Sequence, residues 1–220
     1  MRFGRRSIVG LVLAIAVSVV AVIGGSATPA RADCPNVQLI FVRGTNEPPG
    51  LGAVGDALFA ALQPSLGQRA VDNYAVNYPA SYNFLQTADG ANDARDHIAA
   101  MADQCPATHL VLGGFSQGAA AVSMLAGVPP LGNTVGEFGL AAGTGSRPGQ
   151  QGPGGRHVRQ SRQPVDTPLS TTKQFAGRAI GLCSPGDPVC VVGGRDRDAH
   201  HNYSTAPYPD EAASFIAGRV

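Results

Sequence analysis

The residue best suited to do chemistry in this sequence is Ser116, which lies in a Gly-x-Ser-x-Gly motif at positions 114–118. A serine becomes a nucleophile when a base takes its proton, and this motif typically holds the serine on a sharp strand-to-helix turn. The motif alone is weak, because the chain contains 29 glycines and an ordinary Gly-Ser turn would also match. Its context is stronger, since an apolar run at 109–112 precedes it and the small residues GAAAVSML follow it. The pattern predicts a nucleophile elbow, with a helix N-terminus directed at a developing oxyanion.

A general base for Ser116 is expected to be a histidine that follows it in the chain, as in other sheets that carry a nucleophile elbow. Two of the five histidines precede Ser116, and a third, His157, lies in a stretch without a regular pattern. His200 and His201 remain, near the C-terminus. The order of the residues alone does not choose between these two.

The acid of such a triad lies between the serine and the histidine in sequence. Asp187 is the favoured candidate, because a disulfide bond between Cys183 and Cys190 would hold its short loop rigid. Asp196 and Asp198 are rivals, but they alternate with arginines in GRDRDAHH, which is typical of an exposed charged segment. In the reaction that this predicts, the histidine takes the serine proton, the serine attacks an ester carbonyl, and water hydrolyses the acyl-enzyme.

Residues 1–32 have the pattern of a secretory signal. Three arginines in the first six positions precede the apolar run 8–23, and Ala-Arg-Ala at 30–32 is typical of a cleavage site. An uncleaved anchor is the alternative. Cleavage would leave residues 33–220, enough for one domain, and would change the formal charge from +1 to −3 because the signal carries four arginines and no acid. We therefore expect a secreted protein, and the lack of a basic excess argues against a nucleic-acid partner.

The four cysteines, Cys34, Cys105, Cys183 and Cys190, all follow the predicted signal. An even number in an exported chain predicts two disulfide bonds, for which three pairings are possible. Cys183 and Cys190 are close enough in sequence to close a small loop, which would leave Cys34 for Cys105. A metal site is less favoured, because the sequence has no Cys-x-x-Cys pair. We expect neither a metal nor a cofactor.

The elements that must position these groups are strands alternating with helices. Apolar or alternating runs predict strands at Val37–Val42, 71–76 and 109–112. Helical spacing and end signals predict helices at 53–62, 91–101, 117 to about 125, and 210–217. Such an alternation implies a parallel sheet that is covered on both faces.

Five motifs in the same order resemble those of the cutinase family, in particular the mycobacterial cutinase-like serine esterases. They cover residues 34 to about 131 and 167 to the end. The motifs are FVRGT with Glu47 at 41–47, YAVNYPA at 74–80, GFSQG at 114–118, CSPGDPVC at 183–190 and AHHNY at 199–203.

The resemblance implies an α/β-hydrolase fold of the cutinase type, a three-layer sandwich around a central parallel sheet. It selects His200 over His201 as the base, pairs Cys34 with Cys105 and Cys183 with Cys190, and assigns the oxyanion hole to the N–H of Gln117 and to Thr45, through its N–H and hydroxyl. It also implies an exposed site bordered by apolar loops, for which the candidates are Tyr82, Phe84, Val191 and Val192.

The expected function is therefore the hydrolysis of carboxylic esters with short to medium acyl chains, on ester or lipid substrates. We expect a monomer that makes transient contact with lipid surfaces. Two alternatives remain open: a phospholipase A or thioesterase that uses the same triad, and a catalytically impaired secreted surface protein.

The segment 134–166 departs from the family pattern. It is rich in Gly, Pro, Arg and Gln, and it shows no apolar strand where the resemblance implies one. A genuine insert or disorder is one interpretation. The other is a slip of the reading frame, because GRHVRQSRQP at 155–164 can be encoded so that the frame one base later gives Ala-Ala-Thr-Phe-Gly-Asn-Pro-Ala-Asn. That hypothesis predicts an apolar strand followed by a turn.

Overall fold

Three parallel strands form the sheet in residues 34–127 and 175–220, the part of the chain that this computed structural model describes. The central strand is β1 (Val37–Val42), with β2 (Val71–Ala75) on one side and β3 (His109–Gly114) on the other. The predicted signal, residues 1–32, and the unusual segment, residues 134–166, lie outside the described residues.

Four α-helices cover the two faces of this sheet. One face carries α1 (Gly52–Ser65) and α4 (Tyr208–Ala217), and the other carries α2 (Thr87–Gln104) and α3 (Gln117–Leu125). Of the segments that connect these described elements, one contains the 3₁₀ helix Phe84–Gln86 and another the 3₁₀ helix Asp198–Ser204. The three-layer α/β sandwich expected from the sequence is therefore confirmed.

Strand β1 lies between two apolar cores and is buried along its whole length. Because side chains alternate along a strand, Ile40 and Val42 point into the core under α2 and α3, whereas Leu39 and Phe41 point into the core under α1 and α4. A strand buried on both faces needs a nearly continuous apolar run, and VQLIFV, in which Gln38 is the polar residue, identified it in the sequence.

The register of the sheet brings the loop that follows β1 next to the loop that follows β3. Val42, the last residue of β1, pairs with Gly114, the last residue of β3, in a parallel ladder. The carboxyl ends of both strands therefore meet at one edge of the sheet, where the residues that follow them, including Thr45 and Ser116, become neighbours.

Helices α1, α2 and α4 extend beyond their predicted bounds, and a proline or a glycine lies in each of these extensions. Helix α1 continues through Pro64 instead of ending before it. In the last turn a proline costs only one helical hydrogen bond, and Ser65 binds the carbonyl of Ala61 there at 2.8 Å. Helix α2 begins at Thr87, before the predicted start at 91, and includes Gly90, where a Cβ would lie 3.1 Å from the Tyr78 ring. The glycine permits close packing and does not end the helix.

Both disulfide bonds implied by the resemblance are present. Cys34 is bonded to Cys105, with Cα atoms 5.6 Å apart, and this bond ties the residues before β1 to the end of α2. Cys183 is bonded to Cys190, with Cα atoms 6.0 Å apart.

Of the helices in residues 34–127 and 175–220, none has the length and apolar composition to cross a bilayer.

Candidate active site

Ser116 lies on the turn between β3 and α3 with φ 52° and ψ −116°. A positive φ is unfavourable for a residue with a Cβ and persists only where the surroundings enforce it. Two glycines make this possible: a Cβ on Gly114 would strike the backbone of Gly118, and a Cβ on Gly118 would strike the carbonyl of Val42. Strand and helix approach so closely that side chains at either glycine would separate them, and the predicted strand–turn–helix setting is present.

His200 reaches Ser116 from the C-terminal part of the chain, 84 residues further on. Its Nε2 lies 3.0 Å from Ser116 Oγ, and its Nδ1 lies 2.9 Å from Oδ2 of Asp187. The structure thus brings together the serine, histidine and aspartate that the sequence singled out. His201 lies beside this group, with its ring 5.8 Å from that of His200 and nearly at right angles to it.

His200 belongs to a 3₁₀ helix, Asp198–Ser204, which the sequence patterns did not predict. The carboxylate of Asp196 binds the start of this helix, because its Oδ1 accepts hydrogen bonds from the backbone N–H groups of Asp198 and Ala199 at 3.0 and 3.2 Å. In the sequence, Asp196 is a rival acid within a charged run that is expected to be exposed. It is exposed, but it also fixes the start of the helix that carries the histidine.

Asp187 is buried, with 1% of its surface exposed, and it accepts hydrogen bonds from three groups. The backbone N–H of Val189 binds Oδ1 at 2.7 Å, and the hydroxyl of Tyr203 binds Oδ2 at 2.6 Å, beside the contact with His200. Burial by itself would raise the pKa of Asp187, but the hydrogen bonds from Tyr203, His200 and Val189 and the charge of His200 outweigh it, so the pKa is lowered. The carboxyl group is therefore ionised at neutral pH.

Thr45 lies in a loop that is held by the charged residues of its own motif. The buried guanidinium of Arg43 donates to the carbonyl oxygens of Glu47, Val76 and Tyr78. The carboxylate of Glu47 accepts from the backbone N–H groups of Gly44 and Ala53, so it ties the loop to the first turn of α1. The sequence contained these residues as a motif but did not reveal what they bind.

The hydroxyl of Thr45 donates to Oε1 of Gln117 at 3.0 Å, and Nε2 of Gln117 donates to the hydroxyl of Thr87 at 3.0 Å. Gln117 and Thr87 are both buried. The two residues assigned to an oxyanion hole are thus in direct contact beside Ser116. Thr87 was missed from the sequence, because a threonine at a helix start has no distinguishing pattern.

A cleft of about 280 Å³ opens over Ser116, and most of its lining is apolar. Of the four residues expected on bordering loops, Tyr82 and Phe84 line it, whereas Val191 and Val192 do not; Val189 occupies that side. Val192 is 99% exposed, so it projects away from the protein. The complete lining is Thr45, Tyr82, Phe84, Phe115, Ser116, Gln117, Ala120, Val189, His200 and His201.

The described residues, 34–127 and 175–220, contain no group of three or more His, Cys, Asp or Glu side chains arranged to hold a metal ion. The chemistry that this arrangement can perform is acyl transfer through a base-activated hydroxyl group.

Comparison with known proteins gives matches that cover most of this chain. The family model described as Cutinase matches residues 33–220. Phospholipase Culp4 of Mycobacterium tuberculosis is 40% identical over 202 residues, which cover 88% of this chain and 83% of that protein. Carboxylesterase Culp1 of Mycobacterium bovis is 34% identical over 216 residues, which cover 97% of this chain and 94% of that protein.

Solved structures with the same fold include a Trichoderma reesei cutinase in complex with a phosphonate inhibitor. It has a TM-score of 0.55 and 26% sequence identity, over 84% of this chain and 76% of that one. The catalytic core domain of acetyl xylan esterase from Trichoderma reesei has a TM-score of 0.59 over 86% of this chain and all of its own. Its 22% identity supports a likeness of fold alone.

Proposed function

This chain belongs to the cutinase family of carboxylic ester hydrolases, and on that premise we propose that it is a secreted serine esterase with Ser116 as nucleophile, His200 as general base and Asp187 as the orienting acid. The observation that carries the proposal is the continuous chain of contacts from Ser116 Oγ to His200 Nε2, 3.0 Å, and from His200 Nδ1 to Asp187 Oδ2, 2.9 Å. Secretion is supported by the two disulfide bonds.

The proposed reaction follows from these distances. His200 Nε2 takes the proton of Ser116 as the oxygen attacks the ester carbonyl, and it then passes the proton to the departing alkoxide. Water repeats the sequence on the acyl-enzyme and releases the carboxylic acid. Throughout, ionised Asp187 accepts from Nδ1–H, so it fixes the tautomer in which Nε2 can act as base.

The oxyanion of the tetrahedral intermediate is proposed to bind the backbone N–H of Gln117 and the N–H and hydroxyl of Thr45. A threonine hydroxyl has one proton, and in this structure it is donated to the Gln117 side chain. For the Thr45 hydroxyl to donate to the oxyanion, it must turn away from Gln117 Oε1. This becomes favourable if the Gln117 amide turns so that its Nε2 donates to the Thr45 oxygen. Amide orientation is therefore part of the proposed mechanism.

The cleft supports short to medium acyl chains as substrates, because its walls are largely apolar and its volume of about 280 Å³ is modest. A phospholipase activity is the second candidate. Two apolar side chains of the cleft lining are exposed, Tyr82 with 74% and Val189 with 39% of its surface accessible. Such a rim suits transient contact with a lipid surface, and the relative Culp4 is named a phospholipase.

The test is hydrolysis of a chain-length series of p-nitrophenyl esters by the wild type and Ser116→Ala. Ser123→Ala is the matched control, because Ser123 lies on the same helix and donates to the carbonyl of Ala119. We expect Ser116→Ala to fall to the buffer rate, with Ser123→Ala within about twofold of wild type. Equal rates above the buffer rate for wild type and Ser116→Ala would refute Ser116 as the nucleophile, and buffer rates for both would support the catalytically impaired alternative.

Phospholipid vesicles distinguish the two enzymatic candidates. Release of fatty acid from vesicles at a rate comparable with the best soluble ester, and dependent on Ser116, would favour the phospholipase. Turnover confined to soluble short esters would favour the simple esterase.

A further inference from the structure

We propose that Tyr203 is a positioning residue for the reaction and that its hydroxyl, together with His200, fixes the carboxylate of Asp187; this rests on the proposed triad. Tyr203 is 8% exposed. Its hydroxyl lies 2.6 Å from Oδ2 of Asp187, the same oxygen that receives Nδ1 of His200 at 2.9 Å. Two side chains therefore hold one oxygen of the acid.

The direction of this hydrogen bond follows from the neighbouring groups. The backbone N–H of Ser184 donates to the Tyr203 hydroxyl oxygen at 2.8 Å. A backbone N–H cannot accept, and the disulfide sulfur of Cys190, 3.3 Å away, is a much weaker acceptor than the carboxylate of Asp187 at 2.6 Å. The single proton of Tyr203 is thus left for Asp187. Burial and the hydrogen bond to Asp187 raise the pKa of Tyr203 to about 12, which keeps that proton in place at neutral pH.

The geometry of the 3₁₀ helix explains why histidine and tyrosine are three residues apart. A 3₁₀ helix has about three residues per turn, so side chains at i and i+3 eclipse. His200 and Tyr203 lie in the helix Asp198–Ser204 and therefore project from one face, onto the same carboxylate. The His-x-x-Tyr spacing provides two donors to one acid from a single rigid turn.

Tyr203 also contacts the nucleophile elbow. Its ring lies 5.6 Å from that of Phe115, the residue before Ser116, and the Phe115 ring lies 5.0 Å from that of His200. Tyr208, from α4, packs on the other side at 4.9 Å. The titratable groups that face the Tyr203 hydroxyl and ring are therefore Asp187, His200 and Tyr208, whereas Phe115, the Ser184 backbone and the disulfide-bonded Cys190 do not titrate.

The expected effect of Tyr203→Phe follows from the charge on Oδ2. Without the tyrosine proton, that oxygen has a higher charge density and holds the protonated form of His200 more strongly. The acidic limb of the kcat/KM profile should therefore move to higher pH. We expect kcat to fall roughly tenfold, with KM unchanged because Tyr203 does not line the cleft.

The experiment compares the pH profiles of kcat/KM and the melting temperatures of wild type, Tyr203→Phe and Tyr208→Phe. Tyr208→Phe is the matched control, since it removes a hydroxyl from the adjacent ring, and it should leave the profile unchanged. A Tyr203→Phe variant that melts earlier but keeps the wild-type kcat and acidic midpoint would overturn the proposal, because the hydroxyl would then be only structural.

Incorporation of 3-fluorotyrosine at position 203 keeps the proposal testable if Tyr203→Phe does not fold. The fluorine makes the phenol a stronger donor, so the acidic limb should move to lower pH, opposite to its shift in Tyr203→Phe. An unchanged limb would overturn the proposal. Ser116→Ala separates the two levels: activity retained in Ser116→Ala rejects the proposed triad, whereas loss there with a wild-type profile in both Tyr203 variants rejects only the role of Tyr203.

Discussion

Asp187 combines deep burial with a negative charge, which proteins tolerate only when hydrogen bonds replace the lost water. Its donors are supplied by Val189, Tyr203 and His200. Two of them lie on one 3₁₀ helix, and the third is in the acid's own loop. The carboxylate is therefore both ionised and fixed in direction, the two properties that an orienting acid requires.

The lowered pKa of Asp187 predicts how stability depends on pH. The unfolded chain binds the proton more tightly, so the contribution to the free energy of unfolding is fully present above the unfolded pKa of about 3.9 and is lost as the pH falls through the lower folded value. Asp187→Asn cannot titrate there. We expect its melting temperature to decrease less than that of wild type below about pH 4.

The control for this measurement is Asp56→Asn, which removes an exposed carboxylate from α1. It should follow the wild-type curve. Parallel loss of melting temperature in wild type and Asp187→Asn below the same pH would show that Asp187 does not carry this dependence.

The Thr45–Gln117 contact predicts the effect of replacing an amide by a carboxylate. Gln117→Glu keeps the backbone N–H, but an ionised Glu side chain can only accept. The Thr45 hydroxyl would therefore keep donating to this side chain and could not donate to the oxyanion. We expect kcat to fall by about 10²–10³, as when one oxyanion donor is removed. Thr45→Val should cause a similar loss, and the double variant should lose little more than either. Multiplicative losses in the double variant would contradict a shared role.

At this scale, residue order and spacing were enough to select Ser116 and Asp187, because the chemistry restricts which residue types can serve and in which order. The choice of His200 over His201 came from the resemblance. The roles of Tyr203 and Thr87 depend on contacts between segments distant in sequence, and no local pattern encodes them.

Among the elements, β1 and α3 have the predicted bounds because their signals are strong. Strand β1 is a nearly continuous apolar run, and α3 follows a glycine-flanked serine and consists largely of small residues. The 3₁₀ helix Asp198–Ser204 was not predicted. Its sequence is polar. The helix is held by the hydrogen bonds that Asp196 accepts from its first N–H groups and by the burial of Ala199 and Tyr203. Tertiary contacts create this element, so its own residues give no periodic signal.

The two disulfide bonds are predicted to have separate effects. Cys183→Ser/Cys190→Ser should lower stability by about 2–3 kcal/mol, the loop-closure value for a short loop, and should also lower kcat because this loop holds Asp187. Cys34→Ser/Cys105→Ser should lower stability and leave kcat near the wild-type value, because these cysteines adjoin the start of β1, and the site lies beyond the carboxyl ends of the strands.

Esterase kinetics and thermal melts of both double variants provide the measurement. Equal effects on kcat from the two pairs would contradict the view that the Cys183–Cys190 bond serves the acid loop in particular.

For the whole molecule, the sheet is less covered on the β3 side than at its centre. All six residues of β1 are buried, whereas Leu110, Val111 and Leu112 of β3 are only partly buried. Within residues 34–127 and 175–220, β3 pairs with β1 alone. The strand that leads to Ser116 is thus an edge of the described sheet, where the resemblance implies a further neighbour.

The reading-frame hypothesis for 134–166 makes a direct prediction at this scale. The codons across this segment should, in a shifted frame, encode an apolar strand followed by Phe-Gly-Asn-Pro. A chain with the frame restored should melt at a higher temperature, because each additional fully buried large apolar side chain contributes about 1.5–3 kcal/mol. Codons that give no such strand in either other frame would reject the hypothesis and leave a genuine insert or disorder.

Covalent labelling with an alkyl phosphonate that carries a p-nitrophenoxide leaving group tests Ser116 as the nucleophile most directly. The product is examined by intact-mass measurement and peptide mapping. The proposed triad predicts one adduct per chain, on Ser116, formed in step with the loss of esterase activity and much more slowly in His200→Ala. Loss of activity with Ser116 unmodified, or labelling of Ser116 at the same rate without His200, would contradict it.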